Sequence, residues 1–304
     1  MTGLSRRALL RAGLAAGALG MAAAPSARAE TPVSPARRVV AMDFGLAETL
    51  IEIGRPPIAL PDPGEWADWV VEPALPAGIA NLGADREPNL ELLAALRPDL
   101  IVTTPYLAGI RPLLEDFAPT REFSIYAPPG GHPYALSVAA TRALAAAVGR
   151  PTEGEALIDR ADATMAQARA RFAETGMAER PVLVVNFLDT RHVRVYGPGS
   201  LFGDVMARTG LVNGWTRTSN YWGFSTVGIE ELAQSPASRL VYLEPISPDT
   251  LDKLAQSPLW NSLAFVKAGR IHRLPPVLMF GMLPAAMRFA RQLSRALERE
   301  PSHG

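Results

Sequence analysis

From Thr152 to Thr175 the chain reads TEGEALIDRADATMAQARARFAET, with Pro151 before it and Gly176 after it. Leu157, Ala161, Met165, Ala168 and Phe172 recur at spacings of three and four, which makes one apolar stripe on a helix. Asp159, Arg160, Asp162, Gln167 and Arg169 fill the other face. Thr152 as N-cap with Glu155 three residues on predicts a capping box, and Gly176 predicts the stop. At 1.5 Å per residue such a helix is roughly 35 Å long, the width of a small domain. A helix this long and this polar on one face fits two roles: a strut joining two lobes, or a long surface helix of a single domain.

Strand and helix patterns alternate on both sides of it. Before it, strands are predicted at Arg38–Phe44, Pro57–Leu60, Asp99–Thr104 and Glu122–Tyr126, and helices at Leu46–Ile53, Asn89–Leu96, Ile110–Phe117 and Pro133–Val148. After it, strands are predicted at Pro181–Phe187, His192–Tyr196 (its hairpin partner), Arg239–Leu243 and Arg270–Leu274 (an edge), with helices at Leu201–Arg208, Asp249–Ala255 and Pro284–Leu297. Strands separated by helices argue for parallel sheets flanked by helices. The expected division is a targeting segment over 1–29, an α/β lobe over 30–150, the connecting helix over 151–176 and a second α/β lobe over 177–304. The chain is expected to pass between the lobes once, along the helix, and the lobes to move little against each other.

The first residues have a composition of their own. Ser5-Arg6-Arg7 precedes a mild apolar run, Ala12 to Ala24, and Ala27-Arg28-Ala29 is a small-x-small cleavage site. Paired arginines before such a run read as a twin-arginine export signal, and a periplasmic location is expected. Removing 1–29 leaves 26 basic against 30 acidic residues, a net charge of −4, which offers no bulk attraction to nucleic acid or anionic lipid. The chain has no cysteine, so disulfides, thiolate metal sites and cysteine nucleophiles are excluded.

Catalytic signatures are absent. No G-x-S-x-G elbow, P-loop or G-x-G-x-x-G follows a strand, and Gly199-Ser200-Leu201 lacks the flanking pattern of a nucleophile. His132, His192, His272 and His303 are not paired at ligand spacing, so no protein-held metal is expected. Aromatic residues at predicted strand ends stand out instead: Phe44, Trp66, Trp69 and Tyr106 in the first half, and Trp215, Tyr221, Trp222 and Phe280 in the second. Open α/β sheets bind ligands beyond the carboxyl ends of their strands, and loop aromatics there supply rigid contact area. Clusters from both halves point to a shared cleft.

Seven stretches carry a resemblance when taken together and in order: Trp69-Val70-Val71-Glu72-Pro73, Glu87-Pro88-Asn89-Leu90-Glu91-Leu92-Leu93, Asp189-Thr190-Arg191-His192, Gly197-Pro198-Gly199-Ser200-Leu201-Phe202, Asn220-Tyr221-Trp222-Gly223, Ser257-Pro258-Leu259-Trp260 and Phe265-Val266-Lys267-Ala268-Gly269-Arg270. The chain resembles the periplasmic ferric-hydroxamate (ferrichrome-type, FhuD-like) siderophore-binding proteins of ABC transporters. The resemblance implies two α/β lobes joined by one rigid helix, the class III periplasmic binding protein fold, with the ligand in a shallow cleft between lobes. It implies that Tyr106 and an arginine contact the iron-bound hydroxamate oxygens. The family arginine falls at Asp85, with Arg86 adjacent. Family aromatics match Phe44, Trp69, Trp215 and Trp222, and a family tryptophan falls at Leu278, followed by Met279 and Phe280.

The implied function is capture of an Fe(III)-siderophore and its delivery to an inner-membrane ABC permease and its ATPase. The ligand is the iron complex itself, with no covalent cofactor, and the protein is expected to be a monomer that binds no nucleic acid. Glu230 matches the acid that docks on the transporter from the second lobe, and Glu115 is a candidate in the first. Another chelate (heme, cobalamin or a catecholate) is the nearest alternative. A tri-anionic catecholate calls for several converging basic residues, and the cleft candidates are mainly Arg86 and Arg217. An exported α/β hydrolase using Ser200 is the alternative from another class.

Overall fold

A computed structural model describes residues 35–126 and 131–298; the predicted export signal lies outside them. The first lobe alternates as the sequence suggests. Strand β1 (Val39–Ala41) leads to helix α1 (Phe44–Glu52), β2 (Ala59–Leu60) to α2 (Trp66–Trp69), and β3 (Ala80–Asn81) to α3 (Leu90–Leu96). Then β4 (Leu100–Thr103) leads to α4 (Arg111–Glu115), and β5 (Thr120–Glu122) to α5 (Pro133–Ala147). All five strands are parallel, in the order β3-β2-β1-β4-β5. That order reverses between β1 and β4, the place where an open α/β sheet forms a crevice at its carboxyl edge. Asp43 follows β1 and caps α1, its Oδ1 accepting from the Leu46 N–H at 3.0 Å.

Helix α6 (Pro151–Glu174) is the long helix, 24 residues without a break. Its stripe of Leu157, Ala161, Met165, Ala168 and Phe172 is buried, and its polar face is exposed. The predicted capping box does not form. Arg150 is the N-cap, Pro151 occupies the first turn, and Glu155 turns outward to bind Arg142 at 2.7 Å. Proline needs no N–H partner in the first turn and fixes φ for a helix, so the helix starts two residues earlier than a Thr152 cap would give. Gly176, at φ 66°, stops the helix where a side chain would be strained.

The second lobe continues with β6 (Val182–Phe187), β7 (His192–Tyr196), α7 (Leu201–Arg208), β8 (Phe224–Gly228), β9 (Arg239–Leu243), α8 (Pro248–Ala255), α9 (Pro258–Ser262), α10 (Ala264–Lys267), β10 (Ile271–Leu274) and α11 (Leu283–Leu297). Its sheet runs β10-β9-β6-β7-β8, parallel through β6 and antiparallel beyond it. β6 and β7 form the expected hairpin, and β10 the expected edge.

Three strands differ from the sequence expectation, and the short helices α2, α9 and α10 stand where none is expected. The last strand of the first sheet is Thr120–Glu122, not Glu122–Tyr126. The apolar residues that suggested a strand, Phe123, Ile125 and Tyr126, leave the sheet and fill the core between lobes. β3 and β8 were not anticipated, because two residues carry no periodicity and Phe224–Gly228 follows a polar loop.

The core is continuous across both halves. One cluster joins Val39 and Val102 of the first sheet to Leu157 and Phe172 of α6, Val184 of the second sheet and Phe289 of α11. Separate clusters cover the far side of each sheet. Although both sheets are continuous in sequence, α11 returns to pack against α6 and also against α1 and α5. Two helices, not one, therefore brace the lobes. Glu48 of α1 fixes this return: its Oε1 accepts from the Met282 and Ala285 N–H groups, at 2.9 and 3.2 Å, at the start of α11.

Candidate functional site

The carboxyl ends of β1 and β4 position the first-lobe candidates. Tyr106 lies in a short 3-10 turn just beyond β4 and is 55% exposed. The Arg86 guanidinium lies 4.3 Å over the Tyr106 ring, a cation–π contact, and has no ion-pair partner among the described residues. Its donor edge is thus free while its plane is held. Asp85 stands within electrostatic reach of Asp43, the cap of α1. Phe44, at that start, meets Trp66 edge to face at 5.4 Å.

The segment after β10 crosses to α1. A Cβ at Gly45 would lie 2.6 Å from the Phe280 carbonyl oxygen, so only glycine permits this approach. Phe280 packs edge-on against Tyr126 of the first lobe and Trp222 of the second, at 6.1 and 6.4 Å. Tyr126 ties the lobes through polar contacts as well. Its hydroxyl donates to the Met279 carbonyl at 3.0 Å, and its own carbonyl accepts from the Tyr221 hydroxyl at 2.6 Å. Trp222 lies parallel to Phe224 at 6.0 Å. Phe280, Tyr221 and Trp69 all remain substantially exposed.

Two candidates differ from the expectation. Trp215 is only 3% exposed and packs with Ile229 and Leu232 in the outer core of the second lobe. Trp66 is 4% exposed, and its indole donates to the Pro73 carbonyl at 2.8 Å. In both cases the ring buries more area beneath its own loop than it could on a wall open to water. Arg217, the second basic candidate, is held by Glu231 at 2.5 Å. Leu278 and Met279 are half-buried beside Phe280. Glu230 is exposed, whereas Glu115 is paired with Arg111 at 2.8 Å.

Tyr126 and Arg194 also meet this group of residues, and neither is a candidate on sequence alone. The sequence pattern puts Tyr126 at the end of a strand. Arg194 lies within the expected strand His192–Tyr196, where the alternation Val193-Arg194-Val195-Tyr196 puts an arginine and a tyrosine on one face. That alternation was the available signal.

Ser200 is 1% exposed, and its hydroxyl is consumed by the α7 cap: it accepts from the Gly203 N–H at 3.0 Å and donates to the Gly197 carbonyl at 2.7 Å. Elsewhere, two grooves of about 360 Å³ each follow α6 and α11 on another surface. Most of their charged side chains are paired with one another, as Arg160–Glu52, Arg291–Glu72 and Arg171–Glu298. Among the described residues no three His, Asp or Glu side chains converge to hold an ion.

Residues 39–278 match the family described as periplasmic binding protein. The iron(3+)-hydroxamate-binding protein FhuD of Escherichia coli (strain K12) is 31% identical over 260 residues, covering 86% of each chain. The achromobactin-binding periplasmic protein of Dickeya dadantii (strain 3937) is 26% identical over 275 residues, covering 86% of this chain and 84% of its own. In fold, the Fe3+-Desferal-bound siderophore-binding protein FhuD of Vibrio cholerae superposes with a TM-score of 0.81 at 24% identity, over 86% of this chain and 97% of that one. With two braced α/β lobes and a family match that runs from the first strand to the segment after the last, the chain belongs to the periplasmic binding protein family.

Proposed function

We propose that this protein captures an iron(III)-hydroxamate siderophore in the periplasm and delivers it to the permease and ATPase of an ABC importer. The observation that carries the reading is the Arg86–Tyr106 pair, a free guanidinium edge and an exposed phenol held together at the carboxyl edge of the first sheet. A hydroxamate oxygen on Fe(III) keeps partial negative charge. A guanidinium fork and a phenol O–H bind it without displacing any of the iron's ligands. Trp69, Trp222, Tyr221 and Phe280 supply apolar area for the siderophore's carbon backbone. Iron is cargo here, carried inside its chelator. The family membership and the relatives' names point the same way, and Glu230 is the exposed acid proposed to meet the transporter.

Intrinsic fluorescence titration tests this reading, since Trp69 and Trp222 stand where a ferric chelate would quench them. Saturable quenching by ferric hydroxamates is expected, with weak or no response to heme, cobalamin and ferric catecholates. Tight binding of one of those three, and none of ferric hydroxamates, would overturn it.

We also propose export of the folded chain by the twin-arginine route, on the strength of Ser5-Arg6-Arg7. Changing Arg6 and Arg7 to lysine is expected to leave uncleaved precursor in the cytoplasm, as immunoblots of fractionated cells would show. An unchanged periplasmic yield would contradict it.

A further inference from the structure

Arg194 occupies an unusual place. It lies on β7 opposite Asn186 of β6 and Thr226 of β8, on the strand face that carries Tyr196, while Val193 and Val195 point into the outer core. The residue is half-buried, and its Nε is shielded from water with no hydrogen-bond partner. One terminal nitrogen, Nη1, meets the Met279 thioether sulfur at 2.9 Å, a weak acceptor, and the guanidinium plane lies 4.4 Å over the Phe224 ring. No carboxylate pairs with it among the described residues. The Tyr196 hydroxyl, which donates to Asn186 at 2.5 Å, also lies within hydrogen-bonding reach of the guanidinium, but a neutral phenol supplies no counter-charge.

A guanidinium partly withdrawn from water with no anion beside it carries a desolvation cost, which an arriving anion would offset. The surroundings identify where that partner comes from. Met279 is the residue before Phe280, and Phe224 lies beside Trp222, so Arg194 stands directly behind the second-lobe wall of the proposed siderophore site. Met279 has an unbranched, flexible side chain, and a rotamer change there would uncover the donor it now occupies.

We propose that Arg194 is a specificity-determining residue that selects ferric complexes bearing an ionised carboxylate or a net negative charge. It receives that group from the second-lobe side while Arg86 and Tyr106 hold the hydroxamate oxygens from the first. The inference rests on the ferric-hydroxamate reading and names the ligand class within it. A neutral trihydroxamate complex leaves Arg194 unpaired, and a cationic one is repelled.

The test uses one iron centre with three terminal charges. The ferric complex of Desferal is cationic through its free amine, the N-acetyl derivative is neutral, and the N-succinyl derivative is anionic. Each is titrated by fluorescence against the wild-type protein, Arg194→Leu and Arg194→Lys. The wild type is expected to bind the succinyl complex about tenfold or more tightly than the amine complex, as a charge-assisted hydrogen bond would give. In Arg194→Leu that ratio is expected to fall to within about threefold, whatever happens to absolute affinity, because an arginine that served only packing would not move a ratio between ligand charges. Arg194→Lys keeps the charge but loses the fork, so an intermediate ratio is expected. The neutral acetyl complex separates charge from added bulk. A wild type that does not distinguish the three complexes overturns the inference without any variant, and so does an unchanged ratio in Arg194→Leu; in both cases the ferric-hydroxamate reading stands. Failure of the wild type to bind any of the three removes that reading and this inference with it.

Discussion

Arg86→Ala is expected to weaken ferric-hydroxamate binding by about ten- to a hundredfold, the loss of a charge-assisted hydrogen bond of about 1.5–3 kcal/mol. Stability is expected to change little, since the side chain is exposed and its described partner is one ring face. Tyr106→Phe is expected to cost less, because the ring that supports the guanidinium remains and only the phenol O–H is lost. The two effects are expected not to add. With Arg86 stacked 4.3 Å above Tyr106, removing either disturbs the other, and a double-mutant cycle should return a coupling of roughly 0.5–3 kcal/mol. Asp85→Ala is the control. If Asp85→Ala weakens binding and Arg86→Ala does not, the anion contact lies elsewhere. A double variant of Arg86 and Tyr106 with wild-type affinity would remove both from the site.

Folding stability is expected to fall as pH rises from about 5 to about 8, and Glu48 is the main cause. Burial in α1 raises its carboxyl to about 8, against the backbone N–H groups of Met282 and Ala285, which favour the charged form. Burial likewise lifts Asp43, at the α1 cap, to about 6. The sign follows from linkage. A carboxyl that binds its proton more tightly when folded gives stability that is complete below its unfolded value and disappears as pH climbs through its folded value. For Glu48 the swing is on the order of 3–5 kcal/mol, with Asp43 adding in the same direction at lower pH. Glu48→Gln keeps an oxygen for the two N–H groups and has no proton to lose. Its denaturant midpoint is expected to be nearly flat over this range and to exceed the wild type at pH 8. A wild-type midpoint that stays level or rises across the range would show that the start of α11 stabilises the carboxylate more than burial opposes it. Because Glu48 anchors α11 directly after Phe280, affinity for a ferric ligand should be measured over the same pH series.

Much of the fold was legible because it depends on local pattern. A continuous 3.6-residue stripe between a proline and a glycine has one cheap solution, and α6 adopts it over 24 residues. Alternating buried strands and amphipathic helices restrict the chain to helix-flanked sheets, and Asn89 and Ser200 mark helix starts by side-chain chemistry alone. What the sequence could not express is which side chains meet across long separations. Trp215 and Trp222 are both aromatic residues of one polar loop, yet packing buries the first and leaves the second at the seam. Glu48 looks like a solvated helix residue until Met282 and Ala285, far along the chain, arrive against it. Arg194 reads as one polar residue in a strand until Phe224 and Met279 cover part of its guanidinium. Local sequence decides the elements because their hydrogen bonds and stripes close within a few residues. Burial of charge, and therefore the chemistry of the site, is decided only when the lobes and α11 pack together.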